Sequence, residues 1–478
     1  MTFSSPPEHS NKWRVLLAVS MGTFLATIDG SIVNISLPTL VTSFQVDFAL
    51  VQWVALAYLL TITTLMLGIG RLADIYGKKS IYLSGFVVFT VGSMLCGISS
   101  SIYWLIGFRV LQALGAAMVM ALGMAIVTEA FPPYERGRAL GISGTVVSIG
   151  IAIGPTLGGL IVQRLSWHWI FFVNLPIGLL GIWLVARYVP SLRPPGGQRF
   201  DYGGAVTMCV SLLSLLLALT LGQRMGFGHR IVLLLAGNCI LFLALFIFIE
   251  LRSSQPMLDL RLFRSSLFSI SLTTGFMTFI CLSGTLLLMP FYAENVLGYT
   301  PQQTGLLMAT VPVALGGIAP LSGSLSDRFG SRPITVAGLG VLVLGFWAVS
   351  SLDAHTTTLG YVLRFLPVGI GMGMFQSPNN SAIMGAAPRD RLGVASGMLA
   401  VTRTLGQTTG IAILGALWAG RVFQHAGERL AGGATSAPIL AQTLALRDTF
   451  TIVSALIVIA LSLSLWGLTK EKGMSRMR

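Results

Sequence analysis

The residue of most chemical interest is Asp29, which stands in the middle of GTFLATIDGSIVNISLP (Gly22 to Pro38), an apolar run long enough to cross a membrane. An ionised aspartate at the centre of a spanning helix costs roughly 2.5–3.5 kcal/mol on insertion scales, so it is expected to face a bundle interior or a wet cavity. The chain has sixteen Asp and Glu. All the others fall in loops or within about a turn of an expected helix end, Glu129, Asp201 and Glu250 coming closest to being deep. Arg109 is the natural counterpart. Asp29 lies about nine residues before Pro38 and Arg109 about seven after Ile102, so at 1.5 Å per residue their depths agree to within roughly a turn. Burial raises a carboxylate's pKa and a guanidinium lowers it. A pair whose surroundings change between two conformations could therefore load and release a proton, and the alternative is a static ion pair orienting two helices.

The other reactive side chains point away from enzymatic chemistry. Cys96, Cys209, Cys239 and Cys281 lie singly in four apolar runs without C-x-x-C spacing, so neither a metal site nor a disulfide framework is expected. His9, His168, His229, His355 and His425 fall in or beside loops with no triad arrangement. The run Gly369-x-Gly-x-Gly373 sits in an apolar helix with no strand before it, so it is not read as a phosphate loop. No cofactor and no metal are expected, and the chain is read as a non-enzyme.

The elements that must carry Asp29 follow from composition. With 54% hydrophobic and 10% charged residues, the chain reads as a polytopic all-α membrane protein. Fourteen helices are expected, at about 13–38, 51–70, 80–98, 102–128, 138–162, 168–188, 201–222, 230–250, 266–290, 302–324, 333–350, 358–385, 392–420 and 449–468. The first reads as a retained helix, since a polar leader precedes it and no small-residue cleavage site follows. An even number puts both termini on one side. If that side is the cytoplasm, inner segments hold twenty-one Lys and Arg against six outside. The formal charge of +14 then reports orientation and contact with anionic membrane lipids, and no nucleic acid is expected as partner.

An internal repeat organises the chain. The loop Gly70-Arg-Leu-Ala-Asp-Ile-Tyr-Gly-Lys-Lys79 returns as Gly323-Ser-Leu-Ser-Asp-Arg-Phe-Gly-Ser-Arg332, matching at Gly70, Leu72, Asp74, Gly77 and Lys79. The helix opened by Arg109 is echoed by the one opened by Arg364. Two six-helix halves are expected, residues 1–189 and 266–478, with a linker and two inserted helices at 190–265. Gly70 and Gly77 allow a tight turn and close approach, while Asp74 can cap a helix N-terminus or pair with an arginine of a neighbouring segment. With Lys78 and the repeat's Asp327 and Arg328, this loop reads either as a cytoplasmic latch or as a solvated connector. Gly150, Gly154, Gly158 and Gly159 make a flat helix face beside Pro155, a packing surface and hinge.

These motifs resemble the major facilitator superfamily, and within it the fourteen-helix branch of drug:proton antiporters. The segment around Asp29, the loop at Gly70–Lys79, the Arg109 helix, and GIAIGPTLGG from Gly150 to Gly159, which matches that branch's antiporter motif, occur in the family's order on the corresponding helices. The resemblance implies alternating access by two rocking bundles in a bacterial inner membrane, with lipophilic or amphiphilic small molecules exported as protons move inward. It implies a monomer, with a periplasmic adaptor where the source has an outer membrane. It also puts the first, fourth, ninth and twelfth helices around the substrate, with Asn34, Gln112, Phe276, Phe279, Gln376, Asn379 and Asn380 as lining candidates and Met277 and Met374 as adaptable contacts.

The second half departs from relatives that export divalent cations, because Arg364 and Arg403 lie in its helices with no deep carboxylate to balance them. Either they snorkel or bond to backbone carbonyls, or one receives an anionic group of the substrate. The outer segment Arg421–Asp448 reads as the longest loop, a lid or a connector. A dedicated exporter of one metabolite and a non-transporting receptor or scaffold remain as other readings of the whole chain.

Overall fold

A computed structural model describes residues 11–46, 48–191, 200–253, 260–388, 391–428, 434 and 437–475. Its helices in chain order are α1 (Lys12–Phe44), α2 (Phe48–Tyr76), α3 (Lys78–Gly97), α4 (Ile102–Ala130), α5 (Arg136–Arg164), α6 (Trp169–Phe172), α7 (Asn174–Tyr188), α8 (Tyr202–Met225), α9 (Arg230–Arg252), α10 (Ser266–Phe291), α11 (Pro301–Met308), α12 (Thr310–Phe329), α13 (Ser331–Val349), α14 (Thr358–Ala386), α15 (Leu392–Ala426) and α16 (Ile439–Ser475). Among the described residues, 13 helices are long and apolar enough to cross a membrane. The expected thirteenth helix is α15, 35 residues long, with Arg403 and Gln407 interrupting its apolar run.

The chain divides into two compact units, one of residues 1–209, 245–259 and 387–401, the other of residues 210–244, 260–386 and 402–478. The inserted helices are thus shared out, and α15 gives its first turns to the first unit and the remainder to the second.

In the first unit, α5 lies against α1 through its glycines. A Cβ on Gly150 would stand 3.0 Å from Thr27, one on Gly158 2.6 Å from Ile32, and one on Gly154 would overlap the Ser31 hydroxyl. Ser31 Oγ donates to the Gly150 carbonyl at 3.1 Å. Gly159 has open space around its Cβ direction and takes no part in the contact. The side chain of Pro155 lies outside the described residues.

The second unit repeats this device. Gly406 and Gly410 of α15 pack on α10 at Phe276 and Ile280, and Ser283 Oγ donates to the Gln407 carbonyl at 2.9 Å. Close approach at small residues lets a serine reach a backbone carbonyl that the helix interior leaves accessible. The paired loops also share a backbone device: Gly77 (φ 96°) and Gly330 (φ 86°) immediately precede α3 and α13. A positive φ is the conformation that favours glycine.

The largest correction concerns the outer segment. Residues 421–426 continue α15 and α16 starts at Ile439, so Arg421–Asp448 is mostly two helix ends and not a long loop. Ala441, Ala445 and Leu446 are buried in the second unit's core, and His425 Nε2 stands 2.9 Å from Asp448 Oδ2, tying α15 to α16. The Gly-Ala-Ser composition between them hides that apolar spacing. Of the expected linker, residues 192–199 lie outside the described residues.

Candidate functional site

Asp29 pairs with Arg109, and the pair is the centre of a buried polar network wholly within the first unit. Ser101 caps α4, its Oγ accepting from Trp104 N, and Arg109 stands two turns further in. Arg109 Nη1 donates to Asp29 Oδ2 at 2.6 Å and to Gln112 Oε1 at 2.7 Å, while Nε donates to the Val54 carbonyl at 3.1 Å. Its guanidinium carbon lies 4.0 Å from the centroid of the Tyr58 ring. The other carboxylate oxygen, Asp29 Oδ1, accepts from Gln112 Nε2 and from Asn174 Nδ2, each at 2.9 Å. Asn174 also donates to Ser93 Oγ, which in turn donates to the Phe171 carbonyl. Six helices, α1, α2, α3, α4, α6 and α7, converge here.

The network is closed to solvent, with Asp29 0% and Arg109 1% exposed. Of the two environments expected for Asp29, bundle interior or wet cavity, the structure has the first. A buried charge pair holds only when its remaining lone pairs and protons are also satisfied, which is what Gln112, Asn174 and Val54 accomplish. Sequence reasoning assigned Gln112 to the substrate and missed Asn174, Ser93 and Tyr58. The signal for Asn174 was present: an amide opening an apolar helix in NLPIGLL is as costly in lipid as those noted at Gln376, Asn379 and Asn380.

A second cluster is also within the first unit. Asp74, 4% exposed near the end of α2, accepts from two backbone amides at the start of α15, Gly393 N at 3.0 Å on Oδ1 and Val394 N at 3.1 Å on Oδ2. These are among the first four N–H groups of a helix, which have no partner within it. Lys78 Nζ lies 3.2 Å from Asp74 Oδ1 and donates to Glu129 Oε1 at 2.8 Å. Glycine is required on both sides of the approach, since a Cβ on Gly70 would be 2.5 Å from the Gly393 carbonyl and one on Gly393 2.5 Å from the Gly70 carbonyl. Asp74 therefore caps a helix, one of the two roles its type allowed. In the repeat, Arg328 is exposed and Asp327 half-buried.

In the second unit, Asn379 Nδ2 donates to the Ser271 carbonyl at 3.0 Å, and its buried Oδ1 has no partner. Gln376, Met277 and Met374 are half-buried, Asn380 is buried, and Phe279 packs with Phe276 against Gly406. Arg364 stands apart from them. Its Nε donates to Ser351 Oγ and its Nη1 to the Gly360 carbonyl, both at 3.0 Å, so it serves the adjoining helix end and loop. The side chain of Asn34 lies outside the described residues. No group of three or more His, Cys, Asp or Glu is placed to hold a metal among the described residues.

Long apolar helices, an internally repeated helix contact and an ion pair buried within the first unit are the features of a multi-pass membrane protein. The chain belongs to the Major Facilitator Superfamily, whose sequence profile matches residues 19–411. It is 34% identical over 411 residues to the riboflavin transporter RibZ of Clostridioides difficile, covering 85% of this chain and 88% of that protein. It is 37% identical over 405 residues to the multidrug resistance protein Stp of Mycobacterium tuberculosis (CDC 1551 / Oshkosh), covering 84% and 75%. The crystal structure of the human organic anion transporter MFSD10 shares its fold, with a TM-score of 0.69 at 15% identity over 96% of this chain and 100% of that one.

Proposed function

We propose that this protein is a proton-coupled antiporter of the bacterial inner membrane that exports lipophilic or amphiphilic small molecules by alternating access, with both termini cytoplasmic. The observation that carries the reading is the Asp29–Arg109 pair, buried in the first unit and bonded through every oxygen and through Gln112 and Asn174. In the closed network Arg109 Nη1 occupies Asp29 Oδ2, and Gln112 and Asn174 occupy Oδ1. Protonation requires Arg109 to be drawn away, a change that a rearrangement of α1 against α4 supplies. The proton neutralises Asp29 in one state, and restoring the ion pair expels it in the other. The glycine contact of α5 with α1 at Thr27, Ser31 and Ile32 brackets Asp29, so a shift at that contact reaches the carboxylate directly. The Asp74 cap on α15 supports a latch on the cytoplasmic side, formed in one state and broken in the other. Relatives named a multidrug resistance protein and a multidrug transporter protein support the substrate class.

The test uses proteoliposomes with Asp29→Asn. Uptake driven by a pH gradient is expected to be lost while substrate exchange without a gradient continues. Undiminished gradient-driven transport removes Asp29 from coupling.

Two observations favour narrower readings. The complete closure of the network favours a static pair, in which case Asp29→Asn strands a buried cation and costs about 3–5 kcal/mol of stability, impairing exchange and gradient-driven transport alike. The relative named a riboflavin transporter favours a dedicated exporter of one metabolite. A compound panel separates that from a multidrug pump, since a dedicated carrier saturates with one compound and ignores dyes.

A further inference from the structure

Arg403 is the charged group of the second unit's helix interiors that the mechanism above leaves without a task. It lies about three turns into α15, and among the described residues no acceptor or acid pairs with it. An arginine at such depth ordinarily has a partner or lines a pathway.

Helix register shows what stands opposite. α15 runs parallel to α10, with Gly406 against Phe276, Gly410 against Ile280 and Leu414 against Gly284, a constant offset of 130 in residue number. Continuing that offset inward sets Arg403 beside Thr273. By the helical period Arg403 falls at the centre of the face formed by residues 406, 407 and 410, the face turned to α10. At the glycines the two backbones touch. One turn inward the contact opens: Thr273 is exposed, and Arg403 and Phe276 are half-buried. The seam between α10 and α15 thus carries a cation, a hydroxyl and an aromatic ring within about one turn of one another.

We infer that the seam of α10 and α15 at Arg403, Thr273 and Phe276 binds the carboxylate or phosphate group of an amphiphilic anion, which is the exported substrate. Guanidinium geometry suits such oxyanions, the threonine hydroxyl donates to the same group, and Phe276 covers the apolar body. The inference rests on the transport reading but not on proton coupling, so the two fail separately.

The experiment uses the purified full chain with dansyl-undecanoate, its methyl ester and a dansyl alkyltrimethylammonium. Binding is read by fluorescence in detergent and uptake in proteoliposomes. Wild type is expected to bind and transport the carboxylate. Arg403→Gln is expected to weaken carboxylate binding and raise its KM by about tenfold or more, as befits a lost charged hydrogen bond, and Arg403→Lys to recover part of it. The ester or ammonium, whichever is carried, is expected to keep its KM in both variants. Equal loss for all three probes, or an unaltered carboxylate KM in Arg403→Gln with a wild-type melting profile, overturns the assignment. The same series in vesicles with and without phosphatidylglycerol separates a lipid headgroup from substrate. An Arg403-dependent requirement for anionic lipid, with carboxylate binding unaffected, overturns the substrate role. Failure of gradient-driven transport with carboxylate binding retained and Arg403-dependent overturns only the antiport reading.

Discussion

At Arg109 one side chain does the work of three. Its Nη1 spans Asp29 Oδ2 and Gln112 Oε1, its Nε reaches the Val54 carbonyl, and its plane lies over Tyr58. An ammonium on a flexible stem keeps the charge but has neither the fork nor the planar face. Arg109→Lys is therefore expected to fold, yet to lose at least two of these bonds, at about 1.5–3 kcal/mol for each charged one. The measurement is gradient-driven uptake, expected to fall more than tenfold, beside a thermal melt in detergent; wild-type uptake would show that charge alone suffices. A smaller effect belongs to Asp353, in the loop between α13 and α14. Donation from the Thr356 hydroxyl, and then from His355 N, holds its carboxyl below the usual carboxylate range. A depressed folded-state pKa gives stability that is present above the ordinary aspartate pKa and is lost as pH falls through the depressed one. Asp353→Asn is expected to remove that acid-side component from the melting profile and leave the neutral-pH rank of other variants unchanged. The pairing of Asp29 with Arg109 was legible because both charges stand alone in apolar runs at matching depth. Asn174 and Ser93 were not, since small polar residues occur throughout membrane helices and only the fold says which of them meet.

At the scale of elements, the contact between the end of α2 and the start of α15 has two components that report on each other. Gly70 and Gly393 allow the backbones to touch, and Asp74 then satisfies two amides that the helix leaves open. Gly70→Ala forces the backbones apart and takes Asp74 out of reach; Asp74→Asn keeps the space and removes the charge. If both act through the one cap, the double variant is expected to cost no more than the worse single variant, a departure from additivity of about 0.5–3 kcal/mol. Melting midpoints and transport rates of the four proteins form the cycle, and additive losses would mean that the glycine and the carboxylate act independently. The sequence marked Gly70 and Asp74 through their recurrence at Gly323 and Asp327. It did not mark the glycine contact of α15, because Gly406 and Gly410 lie in a stretch without the Pro-Thr-Leu-Gly-Gly ending that flags α5. The missed start of α16 has a similar cause: Ala441 and Ala445 are core residues of a type that also fills loops.

Across the whole molecule, charge distribution carries an orientation that can be tested directly. The hydrophobic pattern gives fourteen helices, of which thirteen among the described residues are long and apolar enough to span; the other, α15, is the one whose polar groups serve the contacts described above. The proposed orientation, with twenty-one inner against six outer cations, would set the termini and the Gly70–Lys79 loop on the cytoplasmic side and residues 350–357 outside. The native cysteines Cys96, Cys239 and Cys281 are buried and Cys209 is half-buried, so serine replacement of all four is expected to be mild and to give a clean background. On that background, Thr357→Cys is expected to react with a membrane-impermeant maleimide in intact cells, and Ser475→Cys only after the membrane is opened. Both positions flank helices whose spans are long and apolar, so the pair together reports on the crossing of α15 between them. A reversed pattern would invert the direction in which Asp29 takes up its proton. Labelling of both from one side would mean an even number of crossings between them, so that one of α14, α15 and α16 fails to cross. In that case α15, with Arg403 in its middle, is the helix to re-examine first.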